Sequence, residues 1–335
     1  MASTRRTFLR RGASVLAAAP IVPLVPAPVS PAPGASIPGP RTANLTLLQS
    51  AMAKGRFVTY QPTGVKVING KLTQASDESI RADLMCLRPH FDSLITYGAQ
   101  GGAERIADIA ASLGFRAVVM GVWDFYNGAE LANAIAAAKR MSHIVAGLSL
   151  GNEMILAKRA AWGDLEYILD IVHRELPNVP LTVTETFAEF VEQADAKPVL
   201  AKMDFLLTNI HPIFETWFRT AQAANWADFV AKACDLLAAA YPGPVLVKET
   251  GIPTGPLALN YTPEMQREFY RALEKRFPQT ATRAFSYFAA FDAPWRVNDA
   301  IVGGGKHPEE AHWGLFDAAR APKDVMRDFP ALRRL

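Results

Sequence analysis

The chain of 335 residues has only two cysteines, Cys86 and Cys234. That excludes a disulfide-built scaffold and any all-cysteine zinc site. No run reaches the ~18 uninterrupted apolar residues of a membrane span, so none is expected. No Gly-x-Gly-x-x-Gly or phosphate loop follows the first apolar run, which argues against a nucleotide-binding fold. Gly303-Gly304-Gly305 falls late, in a loop, and reads there as flexibility. Acid is missing from residues 1–35, which carry Arg5, Arg6, Arg10 and Arg11. The net charge of +3 therefore belongs to that segment, and the remainder is close to neutral. No basic helix with interleaved aromatics occurs, so nucleic acid is not an expected partner. What remains is an ordinary globular composition, 50% hydrophobic, 10% aromatic and 20% charged.

The first residues read as an address. Thr4-Arg5-Arg6-Thr7-Phe8-Leu9-Arg10 is followed by a short apolar region, Gly12 to Ala19, and a Pro/Ala-rich stretch through Pro40. Paired arginines before Phe-Leu resemble a twin-arginine export signal over residues 1–35. The expectation is a periplasmic or secreted bacterial protein. Residues 36–54 read as linker and lead-in, and 55–335 as the main domain. Both cysteines fall on predicted helices and read as buried thiols. Their pairing is left open by the sequence.

From about Asn44, apolar runs rich in β-branched residues alternate with Ala/Leu/Glu segments of helical period. Eight strands are expected: 56–60, 93–97, 116–122, 144–150, 181–184, 205–210, 245–249 and 284–291. Helices are expected over 77–87, 103–113, 129–141, 164–175, 187–194, 227–241 and 263–276, with a last one near 322–327. Eight βα units without a composition break predict a single (β/α)8 TIM barrel.

In such a barrel, chemistry sits where strands end. Here those ends are polar or aromatic throughout: Tyr60, Tyr97, Trp123-Asp124, Gly151-Asn152-Glu153, Thr184-Glu185-Thr186, Asn209-Ile210-His211, Lys248-Glu249-Thr250 and Phe291-Asp292. Glu153 and Glu249, on the fourth and seventh strands, face each other across the predicted mouth. Two opposed carboxylates suit glycosidic cleavage. One protonates the leaving oxygen while the other attacks the anomeric carbon. Asn152 is placed to hold the 2-hydroxyl of the reacting sugar.

Gly151-Asn152-Glu153, Asn209-Ile210-His211-Pro212, Glu249-Thr250-Gly251-Ile252-Pro253, Phe291-Asp292-Ala293-Pro294-Trp295 and His312-Trp313-Gly314-Leu315-Phe316 together resemble glycoside hydrolase family 17. The resemblance spans roughly Gly55 to Lys323 and is to the bacterial branch. It implies a retaining enzyme on β-1,3-glucan, with hydrolysis or transglycosylation as outcome. It puts Glu153 at the acid/base position and Glu249 at the nucleophile, with Tyr60 and Tyr97 at aromatic positions. Neither a cofactor nor a metal is implied, and a monomer is expected. The chain departs from the pattern at Ile252, where the family usually has Trp, and at Ala293 and Arg296, where it commonly carries Glu and Lys.

Trp123, Trp295, Trp313 and Tyr126 fall in loops at the mouth, where aromatic rings stack on sugars. Glu185, His211 and Arg296 are further candidate substrate contacts, and Lys248 reads as orienting Glu249 or lying solvated at the rim. Trp162, Trp217 and Trp226 lie in or beside helices and read as packing, as His143 and His173 read as structural. Two other readings use the same residues. One is a metal-dependent sugar isomerase or epimerase with Glu153, Glu185, His211 and Glu249 as ligands. The other is a non-catalytic glycan-binding barrel.

Overall fold

The computed structural model describes residues 44–69, 71–298, 307–329 and 332. The export signal expected over 1–35 lies outside the described residues, as does Gly303-Gly304-Gly305. Eight parallel strands close into one barrel: β1 Phe57–Thr59, β2 Ser93–Ile95, β3 Ala117–Val122, β4 Val145–Asn152, β5 Leu181–Thr186, β6 Leu206–Asn209, β7 Val245–Glu249 and β8 Arg283–Tyr287. Each strand pairs with its sequence neighbours, and β1 closes the ring against β8. The predicted (β/α)8 TIM barrel is the fold.

The helices follow their local signals. Ser76 accepts a hydrogen bond from Ser79 N–H and starts the helix Asp77–Leu87. Asn127 caps Gly128–Arg140 through Glu130 N–H. Thr262 followed by Pro263 starts Pro263–Arg276. The remaining long helices are Trp162–Glu175 and Ala223–Ala240. Three expectations are corrected. The segment 187–194 is not the whole connection between β5 and β6, which carries two short helices, Phe187–Glu192 and Ala196–Lys202. Segment 103–113 splits into a 3-10 turn and a helix, Ile106–Ser112. The eighth strand stops at Tyr287, because the backbone of Ala289 and Ala290 bonds to Trp313, Leu315 and Phe316 as well as to Thr59.

The lead-in also differs from expectation. Thr46–Lys54 is a helix whose Leu48, Ala51 and Met52 are wholly buried. They pack with Phe57, Ile95, Val119, Phe205, Leu207, Leu246 and Ala284, the inward-facing residues of the strands. The helix thus stoppers the N-terminal end of the barrel. The interior turns polar toward the other end, where Thr59, Ser149, Thr182, Thr184 and Ser286 are buried. An antiparallel hairpin, Val67–Ile68 with Lys71–Leu72, stands in the loop after β1.

Cys86 and Cys234 are free thiols, Cys86 half-buried and Cys234 buried. Burial raises both to about 11, so neither is a ready nucleophile.

Candidate active site

Alternation along each strand decides which side chains reach the mouth. In β1, Phe57 and Thr59 point inward, so Val58 and Tyr60 point outward into the layer between sheet and helices. Tyr60 is fully buried there, and its hydroxyl donates to Asp83 Oδ2 at 2.9 Å. The expected substrate contact at Tyr60 is therefore corrected to a structural one. In β2, Ile95 points inward, and by the same alternation Tyr97 reaches the pocket. In β6, Leu207 points inward, and alternation carries Asn209 and His211 to the mouth.

The two strands that carry the glutamates each hold one extra residue. Ser149 pairs with Thr182 and Asn152 with Thr184, so β4 advances three residues against two of β5. Thr208 pairs with Val247 and Asn209 with Glu249, so β7 advances two residues against one of β6. Such bulges re-aim side chains. They let two consecutive residues, Asn152-Glu153 on one side and Lys248-Glu249 on the other, serve the same mouth. Gly151 supplies the turn with φ +90°, and Glu153 follows at φ +50°, which is uncommon for a residue with a side chain. Glu153 N–H donates to Thr184 O at 2.8 Å, and Arg159 donates to Asn152 O at 2.9 Å. These bonds hold the strained turn.

Each glutamate has its own partners. Asn209 Nδ2 donates to Glu153 Oε1 at 2.9 Å. His211 Nε2 donates to Glu249 Oε2 at 3.3 Å. Asn209 is also the backbone ladder partner of Glu249, so one residue of β6 bonds to the Glu153 carboxylate and registers the strand that carries Glu249. The Tyr97 hydroxyl is buried beside Glu249. Burial first, and then the Glu249 charge, raise it well above the ordinary phenol range. Lys248 Nζ crosses the barrel to Asn152 Oδ1 at 2.6 Å. The residues preceding the two glutamates are thus tied together. Lys248 is 1% exposed, so it does not lie solvated at the rim.

Glu185 is corrected as well. Thr182 and Thr184 face inward on β5, so Glu185 faces outward and is fully buried. Its oxygens accept from Ile155 N–H at 2.9 Å and Leu156 N–H at 3.3 Å. Burial pushes it up to about 8. It fastens the loop that follows Glu153 and offers nothing to a sugar.

The aromatic candidates divide. Trp295 and Arg296 line a cavity of ≈ 180 Å³ with Gln61, Thr63, Tyr97 and Phe291. Arg296 is held there by Glu310 at 3.0 Å. Trp123 is half-buried with the Arg159 guanidinium 5.2 Å from its ring centre, and Tyr126 beside it is 56% exposed. Trp313 is only 2% exposed and packs against His211 and Phe288, with ring centres 5.1 and 5.0 Å away. It supports His211 and presents no stacking face. Ile252 is wholly buried, and its carbonyl accepts from Gln266 Nε2 at 3.0 Å. Position 252 belongs to the core and does not border the cleft. Trp162 and Trp226 are buried with their indole N–H groups bonded inside the protein, as packing residues should be.

Three supporting residues were not read from the sequence in these roles. Asn209 stood inside a quoted motif, and its reach to Glu153 depends on the bulges. Arg159 holds the backbone before Glu153 from a loop that carries no motif. Glu130, on the helix Gly128–Arg140, accepts from Ala99, Trp123 and Asp124 N–H and fixes the loops after β2 and β3. Among the described residues, no group of three or more His, Cys, Asp or Glu is placed to hold a metal ion. Glu153, Glu185, His211 and Glu249 are not gathered as the isomerase reading requires.

The arrangement offers two carboxylates on β4 and β7, one bonded to the Asn209 amide and the other to the His211 imidazole, with Tyr97 and Trp295 as aromatic neighbours. Comparison with known proteins identifies the family. A glucan 1,3-beta-glucosidase of Arthroderma benhamiae is 26% identical over 276 residues, covering 78% of this chain and 87% of the relative. The glycoside hydrolase family 17 beta-1,3-glucanosyltransferase of Rhizomucor miehei superposes with TM-score 0.63 at 21% identity, covering 82% of this chain and 97% of that one. An endo-laminarinase from Formosa gives TM-score 0.69 at 17% identity, covering 86% and 88%. The two structures share the fold. The family model of the BtgE/BtgC glycoside hydrolase domain matches residues 58–314, from within β1 to beyond β8. The chain belongs to the BtgE/BtgC glycoside hydrolase domain family.

Proposed function

We propose that this glycoside hydrolase cleaves β-1,3-glucan with retention of configuration. Glu249 attacks the anomeric carbon. Glu153 donates a proton to the departing glycosidic oxygen, and a covalent glycosyl-enzyme forms. Glu153, now ionised, takes a proton from the incoming water or sugar hydroxyl, whose oxygen attacks the anomeric carbon and releases Glu249. Water gives hydrolysis and a sugar hydroxyl gives transfer. Asn152 presents its amide to the 2-hydroxyl of the reacting sugar.

The observation that carries the reading is the cross-tie of the two strand ends. Asn152 and Lys248 meet at 2.6 Å, and each directly precedes one of the glutamates. The Arthroderma relative is named a glucan 1,3-beta-glucosidase. A mutant of the Rhizomucor enzyme, 20% identical to this chain with TM-score 0.64, binds laminaritriose. Those names support the linkage. The paired arginines Arg5-Arg6 support export by the twin-arginine route, which would place the enzyme in the periplasm or outside the cell.

Incubation with laminari-oligosaccharides tests the substrate, and sizing the products separates hydrolysis, which shortens them, from transfer, which also lengthens some. Azide tests the roles. Glu153→Ala with an activated aryl β-glucoside and azide should give the β-glycosyl azide, because the intermediate still forms. Glu249→Ala should give the α-azide by direct displacement. Reversed anomers would exchange the two assignments, and undiminished activity in both variants would place the chemistry elsewhere.

A further inference from the structure

Lysine is an unexpected neighbour for a reacting sugar, and Lys248 is buried as deeply as the core. Leu246, two residues before it, faces the barrel interior. Lys248 keeps that inward direction, and its ammonium lies 4.4 Å from the centre of the Tyr97 ring while donating to Asn152 Oδ1. Titratable groups reach it from several elements. Glu249 adjoins it on β7, Glu153 follows β4, Glu185 lies one residue before the end of β5, and all three act on it electrostatically. His211 after β6 bonds to Glu249, and Arg296 after β8 acts on the Tyr97 hydroxyl.

An ammonium can only donate, so it fixes the amide of Asn152 with Oδ1 toward Lys248 and the NH2 group away from it. A buried cation in this place also favours the charged form of a neighbouring carboxylate.

We propose that Lys248 is the positioning residue of this site, orienting the Asn152 amide toward the sugar 2-hydroxyl and holding Glu249 in its ionised form. The inference rests on the assignment of Glu249 as nucleophile and Glu153 as acid/base. Burial lowers Lys248 to about 8 against the opposing pull of Glu249, Glu153 and Glu185. The ammonium charge is therefore complete well below pH 8 and is lost as the pH rises through it. On an activated aryl β-glucoside, whose phenol leaves without the Glu153 proton, activity should fall over the same range.

The test compares the unaltered enzyme with Lys248→Met and Lys248→Arg. Laminari-oligosaccharides and a matched pair of aryl β-glucosides, with and without the 2-hydroxyl, serve as substrates. Lys248→Met should lower kcat on 2-hydroxyl substrates by ~100-fold, the scale of losing one preorganised transition-state donor, with little change in KM. On the 2-deoxy substrate it should lose far less, because the contact that Asn152 makes is absent. The acid limb of its kcat/KM profile should move to higher pH, since Glu249 has lost the cation that favours its charge. On the activated aryl β-glucoside, where the Glu153 proton is not needed, Lys248→Arg should keep the acid limb and move the alkaline limb upward, because a guanidinium does not deprotonate in this range.

Equal losses on both glucosides, or limbs that stay where they are in both variants, would overturn the proposal. If Lys248→Met does not unfold cooperatively, Lys248→Arg decides alone, and an alkaline limb left in place refutes the idea. An unaltered enzyme inactive on every β-glucoside would overturn the functional reading. An active one matched by Lys248→Met would overturn only the role of Lys248.

Discussion

Asn209→Ala isolates the acid/base from the nucleophile. Asn209 is the last residue of β6, is 1% exposed, and donates from Nδ2 to Glu153 Oε1 at 2.9 Å. A hydrogen bond to a charged group contributes ~1.5–3 kcal/mol. Glu153 is half-buried, so water replaces part of the loss. The lower half of that range applies, and at ~1.4 kcal/mol per factor of ten it corresponds to a fall of roughly 10–40-fold. The fall should appear in kcat/KM for laminari-oligosaccharides, whose leaving hydroxyl must be protonated as it departs. It should nearly vanish for an aryl β-glucoside with an acidic phenol, which leaves without that proton. For such a substrate kcat/KM reports the step up to the intermediate, where Glu153 has little to do. Steady-state kinetics on both substrates, with thermal unfolding to check the fold, measure the difference. Equal losses on the two would mean that Asn209 shapes the site generally and does not place Glu153. No loss on either would mean that the 2.9 Å bond has no part in the reaction.

Two further outcomes follow from where residues sit. Ile252→Trp should destabilise the protein by ~1–3 kcal/mol through overpacking, seen as a fall of several degrees in Tm, and should leave product lengths unchanged. A changed product pattern at unaltered Tm would put position 252 on the cleft after all. Arg5→Lys with Arg6→Lys should keep the protein in the cytoplasm, as fractionation would show, and undiminished export would refute the signal reading.

Much of the barrel was legible in the sequence. β-branched runs marked strands with boundaries one to four residues off, and β7 and the helices Asp77–Leu87 and Pro263–Arg276 lie where the pattern put them. Caps at Ser76, Asn127 and Thr262 are local chemistry, so a single sequence can carry them. The helix Thr46–Lys54 was missed because its apolar face is short and matters only once a barrel end exists to be covered. After β5 the expected helix 187–194 matches Phe187–Glu192 alone, and the second short helix, Ala196–Lys202, which carries Pro198 in its first turn, was not read.

At the site, the sequence by itself determined the chemistry on offer. Asn-Glu at one strand end and a glutamate three units later offer two carboxylates and an amide for glycosidic cleavage, and the family resemblance implies which carboxylate is the acid and which the nucleophile. Tertiary structure decided which candidates take part. Strand alternation turns Tyr60 and Glu185 away from the mouth and Tyr97 and His211 toward it, and that parity is set by where the ladder begins. Bulges in β4 and β7 bring Lys248 and Glu249 to the same mouth as Asn152 and Glu153, and a bulge is a property of two paired strands. Lys248 illustrates the division most plainly: in the sequence it is a cation beside a glutamate, and only the closed barrel removes its water and leaves it Asn152, the Tyr97 ring and the carboxylates as neighbours.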